Sequence, residues 1–296
     1  MNISEKTDAT INRILEAMEG GKLAWRKPWQ HDTATGAIHY NGASGHRYTG
    51  ANPIILHVAA MARGFQSTCW LTFKQIKDLG GSNKGAKAEW ILRPVLINKK
   101  DENGEKTDES FMAFNAYPVF NFDECTGIDA AKLVRLDVQP LKIRDVPNES
   151  AVLDMVQTVG ASVHHGGNRA FYTPGGDYIQ MPNKGQFVSA EHYDSTLAHE
   201  TVHWTGAKHR LDRLTPDRFG GKDYAFEELV AELGAALIMA EFGVDCSKLE
   251  SPAYLQNWIR LMTDHKAAFF KAATLASHAV EYIRDSLVAD AAKIAA

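Results

Sequence analysis

The spacing of apolar residues predicts helices and strands in alternation over the first 125 residues of the chain. Residues 8–20 and 52–62 repeat apolar side chains at helical spacing, and Pro53 suits the first turn of the second helix. A short helix is predicted from Lys74 to Leu79, and a polar loop from Lys99 to Ser110. Strand-like runs in this part lie at 70–73, 90–97 and 111–122.

The pattern changes after an irregular stretch at 126–147, which contains Pro140 and Pro147 and is interpreted as a linker. A helix is predicted from Ser150 to about Val159, and the chain after Ser189 is mostly helical in pattern. Between them lie strand-like runs at 161–165, 170–173 and 178–182. The predicted fold is therefore α+β in two domains, at 1–125 and 148–296, and the second domain is mostly helical with a small β-sheet.

Composition favours a globular protein with two cores. The chain has 296 residues, of which 45% are hydrophobic. It contains no apolar run of about 18 residues, so we expect no membrane partner, and its first residues do not resemble a secretory signal. Its three cysteines, Cys69, Cys125 and Cys246, are far apart, which argues against a disulfide framework or a cysteine-based zinc ribbon. A cytoplasmic location is the expectation.

The net charge of −4 conceals an asymmetry between the two parts of the chain. Residues 1–100 contain 14 lysines and arginines against 7 acidic residues, whereas the remainder contains 18 against 29. A basic N-terminal part favours an anionic polymer as partner, and the acidic remainder does not.

The strongest chemical signal is the sequence His199-Glu200-Thr201-Val202-His203 on a predicted helix between Ser189 as N-cap and Gly206 as stop. Histidines at positions i and i+4 project from one face of a helix, one turn apart, where two nitrogens can bind one tetrahedral zinc ion. Glu200 is then placed to act as the general base toward an attacking water. The sequence predicts one zinc ion per chain, with Mn²⁺ as an alternative ion.

A catalytic zinc ion needs a third protein ligand, and the candidates lie on the predicted helix around Leu229. We assign Glu228 as the third ligand and Glu232 as a hydrogen-bond acceptor for a ligand histidine, because buried carboxylates are costly unless they pair or bind metal. Glu227 is the alternative ligand. A structural metal site is disfavoured because such sites fill four protein positions, often with cysteine. A Mg²⁺ or Mn²⁺ nuclease is disfavoured because those ions prefer oxygen ligands.

The N-terminal part interleaves cations with aromatic rings, which is the composition that single-stranded nucleic acid binding requires. Cores and solvated surfaces also use these residues, so composition alone leaves the prediction open. The candidate DNA-binding residues are Trp25, Arg26, Lys27, Trp29, Arg47, Tyr48, Trp70, Lys74, Lys77, Lys84 and Lys87. Phe73 and Trp90 belong to the same aromatic and basic pattern.

Short segments in both halves of the chain match one known family. In the first half these segments are residues 25–29, 48–52, 70–75 and 119–121. In the second half they are residues 193–200, 203–206, 210–211, 224–225 and 227–232. On these segments the chain resembles, over nearly its full length, the ArdC family of plasmid antirestriction proteins.

The resemblance implies an N-terminal domain that binds single-stranded DNA and a C-terminal zincin-like, gluzincin-type metallopeptidase domain. It also implies protection of incoming plasmid DNA from host restriction during conjugation, with a protein or peptide as the substrate. His199, Glu200, His203 and Glu228 match the family at the site. The alternative function is a non-catalytic shield that coats single-stranded DNA and carries a vestigial metal site.

Overall fold

The computed structural model describes residues 12, 39–100, 106–134, 150–214, 222–242, 244 and 266–295. The helix predicted over 8–20 (apart from Asn12), the 25–29 segment and most of the 126–147 linker lie outside the described residues. The chain divides into two compact units. Of the described residues beyond Asn12, the first unit contains 39–48 and 55–134, and the second contains 49–54 and those from 150 onward.

The elements of the first unit are β1 (Tyr40–Asn41), α1 (Asn52–Arg63, of which residues 52–54 fall in the second unit), β2 (Cys69–Leu71), α2 (Phe73–Asp78), β3 (Glu89–Lys100) and β4 (Lys106–Asn121). The strands form a four-stranded sheet of order β1-β2-β4-β3. Strand β1 runs parallel to β2, and the other neighbours are antiparallel. Helix α2 is short and begins at a capping box, in which Thr72 and Gln75 bond to each other's main chain.

The β3–β4 hairpin is longer than the sequence pattern predicted. The loop expected from Lys99 to Ser110 is partly strand, since Asn98 pairs with Ser110 and Lys100 pairs with Lys106 across a bulge. Main-chain hydrogen bonds hold such a ladder together whatever the polarity of its side chains. The polar composition of this stretch therefore led to the prediction of a loop.

The core of the first unit is centred on Trp70, which is 0% exposed. Its indole Nε1 donates to Nδ1 of His39 over 3.0 Å, and Phe65 packs edge-on against its ring. The other buried members of this cluster are Tyr48, Leu56, Ala59, Ala60 and Val119. Trp70 and Tyr48 are therefore core residues, which corrects the expectation that they stack on bases.

The second unit combines helices with a small sheet. Its elements are α3 (Ala151–Thr158), β5 (Ser162–His165), β6 (Phe171–Thr173), β7 (Tyr178–Met181), α4 (Ala190–Thr205), α5 (Lys222–Glu241) and α6 (Lys266–Ala295). The three strands have the order β5-β7-β6, in which β5 is parallel and β6 antiparallel to β7. Helix α5 packs against both α4 and α6.

Helices α4 and α5 approach closely at Gly234, where a Cβ atom would lie 2.6 Å from Cγ2 of Val202. The missing side chain thus brings the two helices together near the histidine pair of α4. The predicted α+β class is confirmed, with a mostly helical second unit that carries a small sheet. Among the described helices, none combines the length and the apolar character needed to span a bilayer.

Candidate metal centre

Helix α4 begins and ends at the predicted residues. The Ser189 hydroxyl accepts the main-chain N–H of His192, and the Gly206 N–H bonds back to the carbonyls of His203 and Trp204. Between these caps, His199 and His203 lie one turn apart with ring centroids separated by 4.8 Å. Their Nε2 atoms are 3.1 Å apart and therefore point at the same small volume.

The third group at this point comes from helix α5. Glu228 Oε2 lies 3.4 Å from Nε2 of His199, and its Oε1 lies 3.4 Å from Nε2 of His203. One ligand atom from each of the three residues lies within 4.8 Å of the others. Ligand atoms about 2.0–2.1 Å from a tetrahedral ion are themselves roughly 3.3 Å apart, so this donor set fits zinc in both chemistry and spacing.

The opposite nitrogens of the two rings also face carboxylates. His199 Nδ1 lies 3.3 Å from Glu232, and His203 Nδ1 lies 3.4 Å from Glu227. A histidine that donates its Nδ1–H to a carboxylate presents Nε2 as the metal-binding atom in a fixed orientation. Glu232 thus lies beside Nδ1 of His199, and Glu227 lies in the equivalent position beside Nδ1 of His203.

Protons compete with a metal ion for the nitrogen atoms of this site. Burial lowers the pKa of His199, but its hydrogen bonds with Glu228 and Glu232 outweigh burial and raise that pKa to about 10. The pKa of His203 is raised by the same balance, in which burial is opposed by Glu227 and Glu228. Burial alone would raise the pKa of Glu228, yet the two imidazoles bring it well below its ordinary range. A metal ion must therefore displace protons that the carboxylates hold on these rings.

The Glu200 carboxylate is buried beside His199 and His203, and its Oε2 accepts the main-chain N–H of Tyr172 over 2.9 Å. Burial raises the pKa of Glu200, and the nearby His199 and His203 offset part of that rise. A carboxyl group with a raised pKa is suited to accept a proton and return it. Tyr172 lies on β6, so the edge of the small sheet borders Glu200.

A cluster around Arg210 ties the β6–β7 turn to the end of α4. Its guanidinium bonds to both oxygens of Asp177 and donates to the Tyr172 hydroxyl over 3.1 Å. Its Nε donates to the Trp204 carbonyl over 2.6 Å, and its centre lies 3.9 Å from the indole ring of Trp204. The strand residue that contacts Glu200 is thereby fixed to the helix that carries Glu200.

Arg213 is a further residue beside the site that the sequence did not reveal. It is buried, and it donates to Glu227 over 3.1 Å and to the main-chain carbonyl of Val202 over 2.6 Å. The only sequence signal is an arginine between Leu211 and Leu214, which is too common a pattern to indicate a site. Tyr172 and Asp177 were missed for the same reason, since they reach the site through folding rather than through spacing.

The N-terminal DNA candidates separate into buried and exposed side chains. Trp25, Arg26, Lys27 and Trp29 lie outside the described residues, and Arg47 is half-buried. Four lysines are exposed, namely Lys74, Lys77, Lys84 and Lys87. Phe73 is 53% exposed, and the Lys77 ammonium lies 5.7 Å from the centre of its ring.

Comparison with known families gives two matches that divide the chain. Residues 4–120 match the N-terminal domain of anti-restriction factor ArdC. Residues 150–275 match a zincin-like metallopeptidase family.

The chain is also similar to proteins of several sizes. Two DNA primases TraC from Escherichia coli are each 31% identical over 93% of this chain, which spans only 20% and 27% of their lengths. Protein y4eC from Sinorhizobium fredii is 30% identical over 93% of this chain and 90% of its own.

Two crystal structures of antirestriction protein ArdC from plasmid R388 resemble the fold along 97% of this chain and 98% of theirs. The metal-free structure gives a TM-score of 0.75 at 34% identity. The Mn(II)-bound structure gives 0.73 at 33% identity.

Proposed function

Because this chain belongs to the ArdC family of antirestriction proteins, we propose that it binds single-stranded DNA and carries a zinc metallopeptidase site. On this proposal its N-terminal domain holds DNA that enters the cell as a single strand, and its C-terminal domain cleaves a protein or peptide near that DNA. The outcome is protection of plasmid DNA from host restriction during conjugation.

The observation that carries the peptidase part is the convergence of two imidazole Nε2 atoms and one carboxylate beside a buried glutamate. The proposed ligands are His199, His203 and Glu228. The two Nε2 atoms are 3.1 Å apart, and each lies 3.4 Å from an oxygen of Glu228. The Mn(II)-bound structure of the R388 relative supports the binding of a divalent ion by this chain. Zinc is favoured here because imidazole nitrogen dominates the donor set.

Glu200 performs the proton transfers in this proposal. A bound divalent ion supplies Lewis-acid polarisation of a carbonyl and of a water molecule. The Glu200 carboxylate accepts the proton of the attacking water and later delivers it to the leaving amine. Its bond from the Tyr172 N–H over 2.9 Å holds one oxygen in place during this exchange.

An extended peptide is the proposed form of the substrate. Within the described residues, β6 pairs only with β7 and leaves its other edge toward Glu200. A peptide added to a sheet edge gains main-chain hydrogen bonds and is held straight past the catalytic group.

The DNA surface that we propose is formed by the exposed members of the N-terminal set. Lys74 and Lys77 on α2 and Lys84 and Lys87 in the following loop supply charge for phosphates. The stacking ring is Phe73 rather than Trp70, because an exposed ring beside a lysine offers a base both a face and a nearby cation.

Replacement of Glu200 by Gln tests the catalytic part of the proposal. The variant keeps the ligands and the shape of the site, so we expect one zinc per chain and unchanged affinity for single-stranded DNA. Protection of a conjugating plasmid in a restricting host is expected to fall to the level of a strain without the protein. The measurements are zinc content, oligonucleotide affinity and transconjugant frequency for both proteins.

The zinc content of His203→Ala is the companion measurement, and it is expected to fall below one ion per chain. Full protection by Glu200→Gln would reject the peptidase and leave the DNA-coating shield. A wild-type protein that takes up no divalent metal on reconstitution would reject the metal site itself.

A further inference from the structure

Helix α5 places two adjacent carboxylates, Glu227 and Glu228, against the same ligand histidine. Each has an oxygen 3.4 Å from a nitrogen of His203, yet Glu227 faces Nδ1 whereas Glu228 faces Nε2. We infer that Arg213 decides between them, because it holds Glu227 on the outer side of His203 and leaves Glu228 to bind the ion. This inference rests on the proposed metal site.

The contacts of Arg213 leave Glu227 little freedom. Arg213 Nη2 lies 3.1 Å from one oxygen of Glu227, and its Nε lies 3.5 Å from the other, so the guanidinium spans the carboxylate. The oxygen that Nη2 contacts is the one that faces Nδ1 of His203. A carboxylate engaged in this way cannot turn toward Nε2 without leaving a buried guanidinium unpaired.

Arg213 is itself held by the last turn of α4. Its Nη2 donates to the Val202 carbonyl over 2.6 Å, and its Nη1 donates to the Thr205 hydroxyl over 3.0 Å. Its side chain is only 5% exposed. The guanidinium is therefore anchored to the helix that carries both histidines, and it positions a group on α5 relative to them.

Glu228 lacks a partner of this kind. Among the residues that the structure describes, its recorded ion pairs are with His199 and His203 alone, and its side chain is 29% exposed against 12% for Glu227. Charge explains why this difference matters. Four carboxylates surround the two histidines, those of Glu200, Glu227, Glu228 and Glu232, and Arg213 pairs with Glu227. Without Arg213 the buried charge of Glu227 is uncompensated and is drawn to the ion.

A thermodynamic cycle in the full-length protein tests the inference. Zinc affinity is measured by competition with a chromophoric chelator for Arg213→Gln, Glu227→Gln and the double variant. Groups that orient a metal ligand typically contribute about 10–100-fold to metal affinity. We expect Arg213→Gln to weaken zinc binding by about that factor in the wild-type background, and by less than about threefold when Glu227 is already Gln.

A second pair of variants tests the choice of ligand directly. Glu228→Gln alone is expected to weaken zinc binding by at least about 100-fold, because a direct ligand is lost. When Arg213→Gln is added to Glu228→Gln, zinc affinity is expected to rise by about tenfold above that of Glu228→Gln alone. The reason is that Glu227 is released and can take the ligand position of Glu228. An effect in which removal of an arginine improves metal binding is not expected from a structural role.

Arg284→Gln is the matched control, since Arg284 on α6 also spans a glutamate, Glu241 at the C-terminal end of α5, with contacts of 2.8 and 3.0 Å. It is expected to change neither zinc affinity nor the effect of Glu228→Gln. Circular dichroism checks folding, and Arg213→Lys replaces Arg213→Gln if that variant unfolds, because lysine keeps the charge without the bidentate geometry.

The outcomes separate this inference from the function on which it rests. If the wild-type protein binds no zinc, the metal site and the inference both fail. If the wild type binds zinc and Glu228→Gln loses it, the site stands. In that case, two results would overturn only the inferred role of Arg213. One is that the losses of zinc affinity in Arg213→Gln and Glu227→Gln add up in the double variant. The other is that zinc affinity does not recover when Arg213→Gln is added to Glu228→Gln.

Discussion

His57 is the side chain whose burial has the clearest consequence at the residue scale. It lies on α1 with its ring edge-on to His39, with centroids 5.7 Å apart, and it is buried in the first unit. Burial lowers the pKa of His57 to about 4. In the folded protein its imidazole is thus neutral at pH values where an exposed histidine takes up a proton.

We predict that this histidine makes the first unit sensitive to mild acid. The unfolded chain binds a proton at His57 near pH 6.5 and the folded chain near pH 4, so stability falls as the pH drops between these values. The loss should reach about 2 kcal/mol at pH 5. Urea unfolding at pH 7.5 and pH 5 should show a smaller difference for His57→Asn than for the wild type. An equal difference in both proteins, or the same change in His46→Asn at an exposed site, would contradict this account.

At the scale of secondary-structure elements, the metal centre depends on how closely α4 and α5 approach. Gly234 on α5 faces Val202, the neighbour of His203, and an added Cβ atom would lie 2.6 and 3.0 Å from the two methyl groups of Val202. His199 and His203 lie on one of these helices and Glu228 on the other. Any separation of the helices therefore lengthens the distances from the histidines to the glutamate.

Gly234→Ala is predicted to damage both packing and metal binding. Overpacking of this kind costs roughly 1–3 kcal/mol of unfolding free energy, and zinc affinity should fall with it. Val202→Ala in the same chain removes the clashing methyl groups and should restore part of both. Gly185→Ala, where a Cβ atom would meet nothing within 4 Å, is the control and should change neither. Zinc affinity as tight in Gly234→Ala as in the wild type would show that the helix spacing does not matter.

The Arg210 cluster gives a prediction for the β6–β7 turn. The bond from Arg210 is the main reason that the pKa of Asp177 falls to about 2. Its ionised form stabilises the folded state above the unfolded value of about 3.9, and this contribution is lost as the pH falls toward 2. The side chain is 41% exposed, so solvent screens the ion pair and the effect is modest.

Asp177→Asn should therefore flatten the dependence of stability on pH between about 4 and 2. Asparagine tolerates the left-handed backbone at this position, where φ is 50°, so the substitution isolates the charge. Acid unfolding followed by circular dichroism measures the effect. Asp212→Asn is the control, because φ is 49° there and no ion pair with an arginine is recorded among the described residues. If stability falls with pH equally in Asp177→Asn and in the wild type, the ion pair between Asp177 and Arg210 does not contribute to acid sensitivity.

The elements also show which parts of the site could be predicted from the sequence. Ser189, Gly206 and the histidine spacing are local signals on one helix, and the structure forms that helix between those caps. The placement of Glu232 follows from helical periodicity in the same way. Arg213 and Tyr172 could not be found, because their roles depend on contacts across 14 and 28 residues of sequence. Trp70 was misjudged because an indole suits a core and a stacking surface equally well, and only the fold decides between them.

At the scale of the whole molecule, the proposed DNA surface and the proposed metal ligands fall in different compact units. Phe73 and the four exposed lysines belong to the first unit, and His199, His203 and Glu228 belong to the second. No residue is shared between the two sets. We therefore expect single-stranded DNA affinity to remain unchanged when a chelator removes the metal.

The DNA surface makes two predictions that differ in kind. Lys77→Ala removes one phosphate contact, so the slope of log affinity against log salt should fall by about 0.7. Phe73→Ala removes a stacking ring, so affinity for an unstructured oligonucleotide should weaken by about 1–3 kcal/mol with the slope unchanged. Lys208→Ala, at an exposed lysine of the second unit, should alter neither quantity. Fluorescence anisotropy over a range of salt concentrations separates these effects, because charge and stacking respond differently to ions. If Lys77→Ala and Phe73→Ala both bind DNA with the affinity and salt dependence of the wild type, the interface does not include α2. The aromatic segment at Trp25–Trp29 then becomes the candidate.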